Sequence, residues 1–386
     1  MTDIYTATDI ITKRVNGVKY RLNYLDKTAH VTKRFFKYTD SVTIPSEIVI
    51  KKEIFPVVEI DDEAFLDCKN LYNITIPPSV KSIGNNSFKN CSSLLSITFS
   101  EGLISIGESA FQDCRQLTTI TIPSSVKSIG DCAFRDCRSL ASIELSEGLE
   151  SIGQLAFYFC DITSINIPKT VSKIGSNAFH NCRKLVSIDI PEGIKTIESD
   201  TFNQCYKLSS INLPTSIINI EDHAFIECKS LVSIHLSDNI KKIGNSAFAN
   251  CNNLTSIILP RDIISIENNT FRSCTSLTTV TLPPFLISID SEAFEECKSL
   301  TSISIPPFVE KIRCEAFKDC TAIKEIRCYP EKPPFCDSLA FDGIDINNCI
   351  LKVPQNSIID YKTAPQREAG HLVESRWKRF IHIEPI

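Results

Sequence analysis

Seventeen cysteines and six histidines are the first residues of this chain to test for chemistry. In a small secreted protein that many thiols would frame disulfides, and close to histidines they would be metal ligands. Their phase argues otherwise. Twelve cysteines sit in a Phe-x-x-Cys signature that runs from Phe65/Cys68 through Phe88/Cys91, Phe111/Cys114, Phe134/Cys137 and Phe225/Cys228 to Phe317/Cys320. Successive phenylalanines are 23 residues apart, except for one step of 22 from Phe157 to Phe179. Five cysteines lie off this phase: Cys132, Cys314, Cys328, Cys336 and Cys349. The last three are close enough in sequence to pair or to be reactive, but no metal-like spacing joins them to a histidine. His30, His180, His223, His235, His371 and His382 are scattered over different phases.

Stacked repeats would place equivalent Cα atoms about 4.8 Å apart with parallel side chains, whereas a disulfide needs Cβ atoms near ~3.8 Å. The phased cysteines are therefore expected to form a ladder of buried thiols, acting as small hydrophobes beside the phenylalanines. The chain has no Gly-x-Gly-x-x-Gly, Walker loop, His-Glu-x-x-His or Gly-x-Ser-x-Gly. Carboxylate pairs such as Asp61/Asp62 and Glu295/Glu296 read most simply as solvated faces. No catalytic residue, metal site or cofactor is expected.

A fixed period in the twenties marks a solenoid. The clearest unit is Leu117, Ile120, Ile122, Pro123, Val126, Ile129, Gly130, Ala133, Phe134 and Cys137. Its Leu-x-x-Ile-x-Ile part alternates in and out like a strand, and the proline cannot donate to a ladder, so the strand stops there. Val126 and Ile129 suit a tight turn back into the core, with a glycine that the turn favours. Ala-Phe-x-x-Cys has spacings of three, which fit a short turn or 3₁₀ helix on the opposite side. One coil cannot bury its apolar residues alone, so stacking must close the core. The 22-residue step, at Cys160-Asp161-Ile162, reads as a tolerated deletion, and Phe341 as an off-period echo of the ladder.

The ends fall outside the period. Residues 1–41 read as a β-hairpin cap, with Val18, Tyr20 and Leu22 in one strand and Ala29 and Val31 in the next. Residues 42–341 hold about 12 repeats. Residues 342–386 form a closing cap: a strand over Cys349–Pro354, a short helix from Ile358 to Ala364 capped by Asn356 or Ser357, and an apolar edge of Trp377, Phe380, Ile381 and Ile383. The net charge of −5 and pI of about 5.8 carry no footprint for nucleic acid or an anionic membrane. No apolar run reaches the roughly 18–20 residues of a membrane span. The acidic N-terminus has no signal-like apolar stretch, so the expected location is cytoplasmic.

The strand pattern resembles the leucine-rich repeat, and the Pro, Ile-Gly and Ala-Phe-x-x-Cys of each unit resemble, more narrowly, its BspA-like class. The resemblance covers roughly residues 42–341. The order Pro-Pro-Phe, Ala-Phe, Leu-Lys-Val-Pro, Asp-Tyr and Trp-Lys-Arg-Phe is similar to C-terminal caps of BspA-like proteins from the Bacteroidetes. The resemblance implies an α/β solenoid, a leucine-rich-repeat horseshoe with a parallel concave sheet and turns or 3₁₀ helices outside. It also implies secreted or surface-attached adhesion, binding proteins of a host, a neighbouring cell or the cell itself.

On that concave face the residue before each central isoleucine forms a Ser/Thr ladder, Ser96, Thr119, Ser142 and onward. The next outward position varies more. Glu144, Asn166, Asp189, Asn212 and His235 would line up there, with Glu147 and Glu192 just past the strands, as the expected partner-binding stripe. A solubilising face explains the same residues. The Lys/Arg edge after the cysteines, Arg115 and Arg138 among it, reads as solvated. The reading is a monomeric, non-catalytic protein-interaction or adhesion module without nucleic-acid binding. An intracellular scaffold is the alternative. A carbohydrate-binding solenoid is a third reading, opposed by the lack of aromatics on the face beyond Tyr72.

Overall fold

The computed structural model describes residues 11–337, 339–363, 366–368, 371–373 and 376–386. It resolves into two compact units, Met1–Cys182 and Arg183–Ile386. Both are parallel β-solenoids built from the same coil.

The first unit opens with three antiparallel strands: β1 (Ile11–Val15), β2 (Val18–Asn23) and β3 (Thr28–Val31). The expected hairpin is β2–β3, with Val18, Tyr20 and Leu22 buried. Strand β1 is an addition, joined through a two-residue turn in which Asn16 (φ 47°) and Gly17 (φ 81°) both take left-handed angles; that turn type matches the twist of the flanking strands. Two further strands, β4 (Thr39–Thr43) and β5 (Glu47–Ile50), precede β6 (Glu53–Ile60), and β3 pairs in parallel with β6. From there each coil adds one short strand to each of two parallel ladders. The strands of one set include Asn70–Thr75, Ser96–Thr98, Thr119–Ile122, Ser142–Leu145 and Ser164–Asn166. Where Val126 and Ile129 were expected to make only a turn, Ser128–Ile129 and its equivalents form two-residue parallel strands. The glycine that follows serves close approach: a Cβ on Gly130 would lie 2.6 Å from the Gly107 carbonyl carbon.

The Phe/Cys side consists of turns, and the expected 3₁₀ helices do not form there. Cys132 (φ 55°) and Asp136 (φ 59°) flank Phe134 in left-handed conformations, and the other coils repeat this pair. A left-handed residue ends a right-handed helical turn. It also aims alternate amides at the next coil. The N–H groups of Cys132, Phe134 and Asp136 donate to the carbonyls of Gln154, Ala156 and Tyr158 at 2.7–2.8 Å, while Arg135 and Cys137 close back on Cys132 and Phe134.

Inside this corner the phenylalanines stack. In the first unit Phe65, Phe88, Phe111, Phe134, Phe157 and Phe179 follow one another at centroid distances of 4.8–5.6 Å, and Tyr38 closes the free end at 4.6 Å. The missing residue at Cys160-Asp161-Ile162 is absorbed before the next strand; the Phe157–Phe179 rings remain stacked at 17°. The thiol ladder is present and hydrogen-bonded. Cys91, Cys114 and Cys137 donate S–H to the carbonyls of Phe65, Phe88 and Phe111 at 3.1, 3.3 and 3.1 Å.

The second unit repeats the coil. Phe202, Phe225, Phe248, Phe271, Phe294 and Phe317 stack at 5.3–5.6 Å, and Cys228 and Cys251 donate to the carbonyls of Phe202 and Phe225 at 3.2 Å. Phe341 is no echo but the next ring, 5.6 Å from Phe317, and Trp377 covers it at 5.2 Å. The end is closed by parallel strands Glu325–Cys328, Ile350–Val353 and His382–Pro385 and by helix α1 (Ile358–Thr363); Ala364 lies outside the described residues. Trp377 and Phe380 are buried, but Ile381 is 64% exposed and takes no part in the apolar edge. Cys328, Cys336 and Cys349 are buried. Burial pushes the Cys328 thiol up to about 12 and Cys349 up to about 11, which makes reactive thiolates of neither.

Two predictions follow from this core. Phe225→Ala, in a fully buried position between two rings, should cost about 3–5 kcal/mol in a denaturant titration. Burial also raises two of the ladder thiols, Cys182 and Cys274, to about 12 against an ordinary 9.0. An unfolded thiol therefore ionises at a pH where the folded one stays neutral. Stability is retained below pH 9 and falls from there to about 12, by roughly 1.4 kcal/mol per pH unit for each thiol. Melting curves that superimpose at pH 8 and pH 10.5 would contradict this.

Candidate functional site

The expected stripe divides between the two units. In the first, Glu144 and Asn166 are exposed on their strands, and Glu147 is exposed in the loop after the Glu144 strand. Thr121 pairs in register with Glu144 and donates its hydroxyl to Oε2 at 3.0 Å. In the second unit Asp189 and Asn212 are register partners on adjacent strands, both exposed, and Glu192 is exposed beyond them. His235 is exposed too, but its segment is not a ladder strand. Ile234 and Leu236 are buried while Ser233 and His235 point out, so the core alone sets the alternation; the neighbouring Thr255 N–H to Val232 carbonyl bond, 3.1 Å, persists.

The Ser/Thr ladder is exposed as well. Among the described residues its hydroxyls bond sideways only at Ser96, which donates to Asn73 Oδ1 at 2.8 Å. The residue just before it does more of that work, as where Thr278 donates to the Thr255 carbonyl at 2.9 Å.

One feature of this face escaped the sequence reading. Past His235 the stripe turns apolar: Ile258 is 70% exposed. In the loops leaving the next two strands, Phe285 and Phe308 are exposed and stacked at 6.0 Å, and the Arg261 guanidinium lies 5.8 Å from the Phe285 ring. The signal was Pro-Pro-Phe in two successive repeats, residues 283–285 and 306–308. Aromatic rings thus reach the rim of the face, where Phe285 lies between Arg261 of the coil before and Phe308 of the coil after.

Among the described residues the fold also gathers two three-ligand groups that sequence spacing did not show: His30, Glu59 and Asp61, and Glu292, Glu295 and Glu315. Each is crossed by the protein's own cations. Arg21 reaches Asp61 at 2.7 Å and His30 Nδ1 at 2.8 Å. Arg272 contacts Glu292 and Glu295 at 2.6 and 3.0 Å, and Lys318 contacts Glu315 at 2.9 Å. Such guanidinium and ammonium groups neutralise the carboxylates that a metal would need.

The family model described as BspA type leucine-rich repeat region (6 copies) matches residues 58–186, 150–263 and 241–362. The chain belongs to the BspA-type leucine-rich repeat family. Among solved structures it is similar to a leucine-rich repeat protein from Bacteroides ovatus, at 27% identity over 97% of this chain and 99% of that one, with a TM-score of 0.64. It is also similar to a leucine-rich cell surface protein from Faecalibacterium prausnitzii, at 28% identity over 84% and 96%, TM-score 0.54. Likeness to the pneumococcal vaccine antigen PcpA, at 19% identity over 91% and 95%, TM-score 0.55, is one of fold. No curated protein sequence matches. Among the described residues, no helix is long and apolar enough to cross a membrane.

In this BspA-type array the Arg21–Asp61 pair ties β2 to the residue after β6. Burial raises the Asp61 carboxyl, but hydrogen bonds from His30 and Arg21 outweigh it and hold it at about 2. A depressed carboxyl contributes stability above its unfolded value of 3.8 that is lost as pH falls toward 2. Asp61→Asn should therefore lose about 2 kcal/mol at pH 7 and converge with the parent near pH 2. A divalent-metal titration that raised the parent's melting temperature, and not the variant's, would show a metal site instead.

Proposed function

We propose that the chain is a non-catalytic protein-interaction module whose partner docks on the face of the Leu-x-x-Ile-x-Ile strands. The boundaries that go with it are a cap over 1–41, an array over 42–341 and a cap over 342–386. The observation that carries the reading is the exposed Ile258, Phe285 and Phe308 with Arg261, on a face otherwise lined by polar side chains. Aromatic and arginine anchors ringed by polar residues are the usual energetic centre of a protein interface. Leucine-rich repeat proteins commonly bind protein partners, and a similar protein is described as a cell surface protein, which supports adhesion over an intracellular scaffold. Arg261 and Phe308 flank the Phe285 ring, which leaves that ring little free face for a pyranose.

The test is capture of partners by the purified, reduced protein from surface and cytosolic fractions of its own and neighbouring cells. A partner retained by the parent should be lost, by ten-fold or more (about 1.4 kcal/mol), in Phe285→Ser/Phe308→Ser or in Glu144→Lys/Asp189→Lys. Equal capture by both variants would move the interface off this face.

A further inference from the structure

The end of the first unit bears a surface unlike the rest of the molecule. Residues 11–38 contain eight lysines and arginines against one acid, Asp26, in a chain whose net charge is −5. Arg21, Lys27 and Lys33 are paired with Asp61, Glu53 and Glu63. Lys13, Arg14, Lys19, Arg34 and Lys37 have no acidic partner among the described residues. Within this basic field the loop after β3 presents Phe35 and Phe36, 92% and 68% exposed, with their rings edge to face at 5.2 Å. Fifteen of the other twenty phenylalanines are buried.

Beside the two rings is a cavity of about 210 Å³, lined by the Asn16-Gly17 turn, Arg34, Lys37, Tyr38 and the hydroxyls of β4. Arg34 lies over the Tyr38 ring at 4.8 Å and donates one Nη to the Gly17 carbonyl at 2.9 Å. Its Nε is enclosed and has no hydrogen-bond partner. A guanidinium and an ammonium side by side on the wall of a cavity, with threonine and serine residues opposite, are matched by a phosphate oxygen.

We propose that this end docks on an anionic phospholipid bilayer. Phe35 and Phe36 enter the interface, the lysines and arginines meet the negative surface, and the Arg34–Lys37 cavity takes a lipid phosphodiester. Basic residues next to exposed aromatics are the composition that seats a surface element in the headgroup region. Nucleic acid fits less well. The two rings are adjacent and perpendicular, so they offer successive bases no common stacking platform.

The experiment is co-flotation of the full chain with vesicles of phosphatidylcholine alone and of equal parts phosphatidylcholine and phosphatidylglycerol. Binding to the anionic vesicles only is expected. Phe35→Ser/Phe36→Ser should weaken it about ten-fold or more, and Arg34→Gln/Lys37→Gln should weaken it and reduce its salt dependence. Both phenylalanines are mainly exposed, so that variant should melt like the parent and decides the matter even if the charge variant folds poorly. Absence of flotation, or equal flotation of parent and phenylalanine variant, overturns the proposal. So does a melting shift with inorganic phosphate without flotation, which would mark a free-anion site, or tighter binding to a single-stranded oligonucleotide than to the anionic vesicles.

Discussion

The carbonyl of the repeat phenylalanine is the joint on which each unit depends. It accepts the N–H of the cysteine in its own coil and the S–H of the cysteine in the next, as Phe111 does from Cys114 and Cys137. A buried carbonyl left short of partners is costly, and the thiol supplies a second donor without bringing in a strongly polar group. Serine would bring a hydroxyl into a wall of aromatic rings, and alanine would leave both a void and a missing donor. This explains why cysteine holds the position so regularly, with a role that its hydrogen bonding and size alone supply. The joint also needs a neighbour on each side, so the ends need substitutes. Tyr38 supplies a ring to Phe65 and a backbone N–H to Cys68 Sγ at 3.3 Å. Trp377 covers Phe341 and donates its indole N–H to the Pro334 carbonyl at 2.9 Å.

What could be read from the sequence is what repetition amplifies. A single Phe-x-x-Cys means little, but a coil repeated at a constant interval can only be buried by its copies, so the stacking, the strand alternation and the thiol ladder were legible. The left-handed residues were not. Positions such as Cys132, Leu155 and Glu292 take φ near 55–58° because the neighbouring coil offers hydrogen-bond acceptors in that geometry, a tertiary cause that local propensity does not record. Strand β1 was missed for the opposite reason. Its residues are exposed almost throughout and show no apolar alternation, yet the Asn16-Gly17 pair behind it was a readable turn signal. Ile381 failed as a core residue because an apolar side chain beside a buried Phe380 need not itself be inside.

The outward positions obey a different logic. The core fixes which side chains point in and leaves their neighbours unconstrained, so Glu144, Asn166, Asp189, Asn212 and His235 are placed by the fold and chosen by something else. His235 keeps its outward direction without a strand around it. For that reason polar residues on this face carry little information, since a solvated surface would select them too. Exposed apolar residues carry more. Ile258, Phe285 and Phe308 gain nothing for the coil by being where they are, and water penalises them.

The same reasoning shows why whole-chain charge is a poor guide for a solenoid. Screening limits an exposed charge to about 8–10 Å at physiological ionic strength, so a partner meeting one end of the array responds to that end alone. Acids spread over the coils dominate the total of −5, and the average conceals the eight basic residues of 11–38. A repeat array can therefore present surfaces of opposite character at different places along its length, each judged by its own local composition. The exposed Phe35 and Phe36 lie where the local charge is positive, and the exposed Phe285 and Phe308 lie beside Arg261 and Ile258 among mostly uncharged serines and threonines. Two apolar patches in such different fields call for different chemical partners, and a single net charge could have pointed to neither.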